Sequence, residues 1–421
     1  MELKDFLDGC KSMYHTVLCV STMLEEAGYT RIRENRTWNL EPGGKYYVTR
    51  GDSSIVAFRI PEGEAKGYMM SATHTDRPTF KVKEFPELKG IYTRLATEVY
   101  GGALLAPWFD RPLSVAGRVM VETEQGIAPR LVDIDRDILL IPSVAIHMKR
   151  EQNKGWEINP AVDTVPLMGS EAAAGKLWPA LEEQAGGKIL GHDLYLYLRQ
   201  KAVVWGMEEE YISSAGLDDL MCVWSCTQGL VKSGDSGSVS VLCVFDTEEV
   251  GSSSVQGAAS TFLADVLERV SECLGADHKQ MLGNSFMVSA DNGHAIHPNH
   301  PEYADPNNAP RINGGVVLKF NASWRYSTDG ISAAVFRRIC QKADVPVQNF
   351  CNRADVPGGA TLGHISLHQV SIPTVDLGLA QLAMHSCYET AGVKDGGYLA
   401  RAMTEYYSST LTVTDDGAYQ I

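Results

Sequence analysis

Five short stretches collect imidazoles and carboxylates where apolar runs end: SATHTD (71–76), GLDDL (216–220), VFDTEEVGSSS (244–254), SADNGHAIHP (289–298) and AMHS (383–386). They offer His74 and Asp76, Asp218 and Asp219, Glu248 and Glu249, Asp291 with His294 and His297, and His385. Neutral imidazole and carboxylate are the donors that divalent zinc, cobalt or manganese accept, so the chemistry on offer is metal-assisted. The adjacent pair Glu248 and Glu249 adds a geometrical condition. Successive residues of a regular strand face opposite ways, so neighbouring carboxylates share a task only where the pleat ends. Strand ends are also where open α/β sheets hold ligands. A lone Glu-Glu pair or a single His is ordinary surface or core chemistry; the recurrence of such clusters at element ends is what points to a site.

The elements that must position these groups follow from periodicity. Residues 3–28 space Phe6, Cys10, Tyr14, Val17, Leu18, Met23 and Leu24 in helical rhythm and stop at Gly28, which predicts one amphipathic helix. Strands are predicted at 45–50, 54–60 and 67–74, and SVSVLCVF (238–245) reads as a buried strand leading to Glu248. After Gly216, helices at 217–233, 257–274, 330–343 and 394–411 alternate with strands at NSFMVSAD (284–291), VVLKFN (316–321) and TVDLG (374–378). That alternation predicts a largely parallel sheet covered on both faces. Between about 85 and 205 the texture changes. LSVAGRVMVET (113–123) and RLVDIDRDILLIPSVAIHM (130–148) alternate like half-exposed β structure, and GSEAAAGKLWPALEEQ (169–184) reads as an embedded helix or loop. The expected fold is α/β: one domain from 1–84 and 206–421, interrupted by a mainly β insertion over 85–205.

Composition narrows the function classes. The chain has 421 residues and a formal charge of −15, from 37 Lys plus Arg against 52 Asp plus Glu, which argues against nucleic acid or an anionic membrane as the main partner. No run of about eighteen apolar residues appears, and MELKDFLDGCKSMYH has neither a basic start nor an apolar core, so a soluble cytoplasmic protein is expected. Nine cysteines in apolar contexts read as reduced core thiols; Cys222 and Cys226 share a helix face but have no second pair to complete a zinc knuckle.

These stretches, with YGGALLAPWFDRPLSVAGRV (100–119), IPSVAIHMKR (141–150), VVLKFNASWRYSTDG (316–330), DVPGGATLGHI (355–365) and TVDLGLAQLAMHSCYE (374–389), closely resemble the aspartyl aminopeptidase family of two-metal exopeptidases, in the family's order and over most of the chain. The resemblance implies a zinc-exopeptidase-like fold in which His74 and Asp291 hold one divalent ion, Glu249 and His385 the other, and Asp218 bridges them. Zinc is the expected metal, with cobalt or manganese as alternatives. Three carboxylates against two dications leave a net charge of about +1, which favours ionising a bridging water near neutral pH. Asp76 is expected to fix the tautomer of His74. Glu249 is then a ligand, and Glu248 is the general base for a metal-bridging hydroxide that attacks the scissile carbonyl. His294 falls where the family supports the carbonyl oxygen.

The same resemblance implies short peptides with an acidic first residue as substrates. Lys319 matches a lysine of the family's active site, Arg325 and Tyr326 are candidates for the same region, and a solubilising charge is the plain alternative for Lys319. The β insertion resembles a dimerisation domain of a tetrahedral dodecamer, and His147 matches a histidine that reaches a neighbouring subunit's active site. His297 and His300 are expected to be structural or surface residues. This chain departs from the family pattern at Asp219, where Asn is usual, and at Arg77, where Ser is common; a cis peptide is expected at Asp218–Asp219. Competing readings are aminopeptidase action on neutral or basic first residues, deacylation of amino acids, and an inert self-assembling shell or cargo protein. The last predicts a lost ligand or base, and all five ligand candidates and Glu248 are present.

Overall fold

The computed structural model describes residues 1–359 and 361–421. The chain opens with α1 (Leu3–Gly9), α2 (Met13–Glu26), β1 (Thr30–Arg31), β2 (Lys45–Arg50), β3 (Ser54–Arg59) and β4 (Tyr68–His74). A strand-rich stretch follows: β5 (Thr79–Leu88), β6 (Tyr92–Tyr100), β7 (Leu113–Thr123), β8 (Gly126–Asp133), β9 (Leu167–Ser170), helix α3 (Leu177–Ala185) and β10 (Ile189–Leu198). Then come β11 (Val203–Trp205), β12 (Tyr211–Ser214), α4 (Leu217–Lys232), β13 (Val239–Phe245), α5 (Phe262–Leu274), α6 (His278–Gly283), β14 (Phe286–Ala290) and β15 (Gly293–His294). The last part holds β16 (Val316–Phe320), α7 (Gly330–Lys342), β17 (Val347–Cys351), α8 (Leu362–Ser366), β18 (Thr374–Gly378), β19 (Ala380–Leu382), β20 (Glu389–Gly392) and α9 (Asp395–Tyr407).

The main sheet has nine strands in the order β1-β2-β3-β13-β4-β14-β18-β16-β17. Five of its eight neighbouring pairs run parallel, including the central run β13-β4-β14-β18. Along β13 the side chains alternate between two cores, although every residue is buried. Leu242 and Val244 enter the core formed with α2, α4, α7 and α9, whereas Val241, Cys243 and Phe245 enter the one formed with α5. A strand covered on both faces reads as a continuous apolar run, and that run is what the sequence shows before Glu248.

A second, six-stranded sheet, ordered β8-β7-β10-β5-β6-β9, has its own core around Phe80, Trp108, Leu113, Val119 and Leu194. A third sheet of five short strands, β11-β12-β20-β19-β15, had no counterpart in the sequence reading. Two predicted helices are corrected. The opening helix is two, broken where Cys10 leaves helical geometry and Ser12 is extended at φ −150 and ψ 170. The two pack so closely that a Cβ on Gly9 would stand 2.9 Å from Cys19 Sγ. The helix expected from 257 starts at Phe262, because the residues before it are taken up by turns in which the Gly257 and Ser260 N–H groups donate to the carbonyls of Ser254 and Gly257. All nine cysteines are free, and Cys222 and Cys226 are buried on α4. Among the described residues no helix is long and apolar enough to cross a membrane.

Candidate metal centre

The carboxyl ends of three adjacent parallel strands, β13, β4 and β14, converge on one point. His74 is the last residue of β4, Asp291 follows β14, and Glu248 and Glu249 lie just beyond β13. The chain leaves β13 through Thr247 at φ 63, so both glutamates sit on a short 3-10 turn instead of opposite faces of a strand. Asp218 enters from the start of α4, and the peptide Asp218–Asp219 is cis, as expected. His385 enters from the small third sheet, in the turn between β19 and β20 at φ 67. Gly378 allows β18 to run beside this point, since a Cβ there would stand 1.8 Å from the Asp291 carbonyl oxygen.

Two imidazoles bracket one carboxylate. His74 Nε2 lies 3.5 Å from Asp218 Oδ1, and His385 Nε2 lies 3.6 Å from Asp218 Oδ2 and 3.4 Å from Glu249 Oε2. The other ring nitrogen of each is 3.1 and 3.0 Å from a backbone carbonyl, of Asp76 and Gly102 respectively. A carbonyl only accepts, so Nδ1 carries the hydrogen and both Nε2 lone pairs face the carboxylates. The donor atoms of His74, Asp218, Asp219 and Asp291 lie within 4.8 Å of one another, as do those of Asp218, Glu249 and His385. Asp218 is common to these two sets, and His74, Glu248 and Glu249 form a third.

This donor set fits divalent metal. Among the described residues, Asp218 Oδ1, Asp219 Oδ1 and Glu249 Oε1 are buried and accept no hydrogen bond, an arrangement that is costly unless a cation completes it. Crowding has the same meaning. Burial, opposed by His74 and reinforced by Asp291 and Asp76, pushes Glu248 up to about 8, and burial above all raises Asp291 to about 6. Burial also raises Glu249 and Asp219 well above the carboxylate range, while at Asp218 burial is overcome by His74, His385 and Lys319 together, which hold it low. Buried acids this close do not all ionise unless positive charge enters with them.

Backbone amides fix the rest. Asp76 accepts from the N–H groups of Glu248 (3.1 Å) and Glu249 (3.2 Å) and from the Tyr100 hydroxyl (2.7 Å). Its carbonyl, more than its carboxylate at 3.5 Å, meets His74 Nδ1. Glu389, which the sequence reading passed over, accepts from the N–H groups of His385 (2.7 Å) and Asp218 (3.0 Å) and so ties one imidazole to the central carboxylate. Its only sequence signal was its place four residues after His385.

A cleft of about 200 Å³ opens onto the cluster, lined by Glu248, Glu249, Asp291, His294, Lys319 and Tyr326 among others. Burial lowers the basicity of His294, with Lys319 adding to the effect. Lys319 is 3% exposed; its ammonium donates to the Asn292 carbonyl (2.7 Å), lies 3.6 Å from Asp291 Oδ1 and sits over the Tyr326 ring. His297 and His300 line an adjoining cavity of about 520 Å³ that shares His294 with the cleft. Arg325 is exposed and His147 lies on an exposed loop; neither lines the chain's own cleft.

A family model described as Aminopeptidase I zinc metalloprotease (M18) matches residues 6–407. A Clostridium novyi protein named probable M18 family aminopeptidase 2 is 42% identical over 428 residues, covering 97% of this chain and 98% of its own. A chain of the cryo-EM structure of the Ape4 and Nbr1 complex superposes with a TM-score of 0.92 at 35% identity, covering 96% of this chain and 84% of that one. The mApe1 dodecamer of S. cerevisiae gives 0.85 at 25% identity, covering 96% and 95%.

Proposed function

The chain belongs to the M18 family of zinc metallo-aminopeptidases, and from that premise we propose that it removes an N-terminal Asp or Glu from short peptides, with Glu248 as general base. One observation carries the reading: two imidazoles face opposite oxygens of Asp218 at the floor of a cleft that Glu248 also lines. His74 and Asp291 would hold one divalent ion and Glu249 and His385 the other, with Asp218 serving both and zinc as the first choice. Bound there, the ions would supply Lewis acidity, lowering the pKa of a water and polarising the scissile carbonyl.

The chain's own groups supply the remainder. Glu248 takes the proton of the attacking water and hands it to the leaving amine. Its reach is set by Asp76, which holds the backbone of both glutamates from beneath. His294, kept neutral by burial, donates an N–H to the carbonyl oxygen as charge develops. Lys319 is the cation for the acidic side chain of the substrate, with Tyr326 walling the same pocket. The preference for neutral or basic first residues has its own support, because the Lys319 ammonium is already engaged by Asn292 and Asp291.

The insert placed at about 85–205, whose six-stranded sheet runs from Thr79 to Leu198, would be the dimerisation part of a homo-oligomer, a dodecamer built from dimers, with 1–84 and 206–421 as the approximate catalytic domain; the S. cerevisiae mApe1 structure is also a dodecamer. His147 would complete a neighbour's cleft. It stands on an exposed loop flanked by Val144, Ile146 and Met148, which are 38%, 46% and 82% exposed, and apolar surface of this kind is commonly covered by a partner. Nine free cysteines support the reading of a cytoplasmic protein.

The test is hydrolysis of Asp-, Glu-, Leu- and Lys-p-nitroanilides by the metal-reconstituted oligomer. Dominance of Asp and Glu is expected. Faster turnover of Leu or Lys would end the acidic preference and leave the aminopeptidase chemistry standing.

A further inference from the structure

The chain passes from the main sheet into the six-stranded sheet along residues 75–78, after β4, and leaves it for the small third sheet along 199–202, after β10. Both crossings line one cavity of about 320 Å³, with Arg77 on the first crossing, Arg199, Gln200 and Lys201 on the second, and Asp8 and Lys11 from the N-terminal helices. Two of the four cations there are spent. Lys11 pairs with Asp133 and Asp135, and Arg199 with Asp135 and Asp137. Arg77 is different. Among the described residues its guanidinium makes no ion pair, and its buried Nη1 donates no hydrogen bond. Burial lowers its pKa, and the Asp76 carboxylate opposes this through space only; the neighbouring Cys10 thiol, pushed up by burial, is neutral. Two carboxylates line the cavity wall: Asp135, engaged by Lys11 and Arg199, and Asp8, which uses one oxygen on the Ala202 N–H at 2.8 Å.

A half-buried guanidinium whose buried Nη1 has no acceptor is costly, and its planar fork matches the paired oxygens of a carboxylate, phosphate or sulfate. A side chain on Gly216 would drive into Arg77, with a Cβ 2.5 Å from its Cδ, so the arginine is confined against the cavity wall. We propose that this cavity is a binding site for a small oxyanion, gripped by Arg77 with Lys201 at the rim, and that the bound anion clamps the two crossings between the sheets. The cavity shares no lining residue with the metal cleft, although Arg77 directly follows Asp76, which supports that centre. It also gives a physical reason for the arginine that follows Asp76 in this chain.

The experiment uses the metal-loaded, full-length protein at constant ionic strength set with chloride. Sulfate and acetate are titrated by calorimetry, and thermal unfolding is followed in parallel. Saturable binding is expected, together with a saturable rise in Tm. Arg77→Gln should weaken that binding about tenfold to a hundredfold, the scale of losing hydrogen bonds to a charged group. Lys201→Gln should weaken it less, and Arg77→Lys, which keeps the charge without the fork, should fall between. Tighter sulfate assigns a tetrahedral oxyanion, and tighter acetate a carboxylate ligand. Absence of saturable binding, affinity unchanged in Arg77→Lys and Lys201→Gln, or equal displacement by chloride overturns the proposal. If Arg77→Gln does not fold, those other two variants decide.

Discussion

The metal centre is built by two sheets of unlike construction. The nine-stranded sheet delivers His74, Glu248, Glu249 and Asp291 from the ends of long, fully buried strands. The small third sheet, whose strands have two to four residues, delivers His294 and His385. The first half is held by apolar burial on both faces, the second by a polar hub in which Glu389 receives two backbone N–H groups and Asn292 bonds Leu217 and Gln381. Position at a site can therefore be secured by packing or by hydrogen bonds, and damage to each should look different.

Four changes would break or sharpen that contrast. The largest effect belongs to the residue both halves share: Asp218→Asn should abolish high-affinity metal uptake by elemental analysis and cost activity about a thousandfold or more. On the polar side, Glu389→Gln should weaken metal affinity about tenfold to a hundredfold in competition with a chelator, as loss of a supporting hydrogen bond typically does, with little loss of stability. On the packed side the reverse is expected. Leu242→Ala, in the middle of β13, should cost about 2–5 kcal/mol in denaturant unfolding and leave metal affinity in the folded protein unchanged. The smallest change lies outside both halves. Burial lowers His15 to about 4, so the unfolded chain binds a proton that the folded one refuses between that value and the ordinary 6.5. Stability should then fall as pH drops through this window, by at most about 3 kcal/mol from this group, and His15→Gln should flatten that part of the pH–stability curve.

Legibility in the sequence divides along the same line. Strands β4, β13 and β14 announced themselves as continuous apolar runs, and the polar groups at their ends were visible as clusters. The small sheet was not legible: two- to four-residue strands carry no period, and pairings such as β12 with β20 join residues far apart in the chain. His385 was visible only as a lone histidine in AMHS, and its place in a ligand set came from resemblance to a family. Glu389 was missed because a glutamate in SCYET looks like a surface acid until its burial and two amide donors are seen. The break between α1 and α2 was hidden because apolar spacing continues across Cys10, whereas the backbone does not. Asp76 was assigned to His74 alone, and its grip on the Glu248–Glu249 turn became apparent only when β4 and β13 were seen side by side.

The central claim is that Glu248 moves the proton while other residues hold the metal. It is tested most directly by Glu248→Gln, assayed for metal content, oligomeric state and turnover of Asp-p-nitroanilide. The account predicts a metal-loaded oligomer whose kcat has fallen by at least about a hundredfold to ten-thousandfold, the range of general acid–base catalysis. A metal-loaded Glu248→Gln protein that turns over within a few-fold of the unaltered enzyme would contradict it.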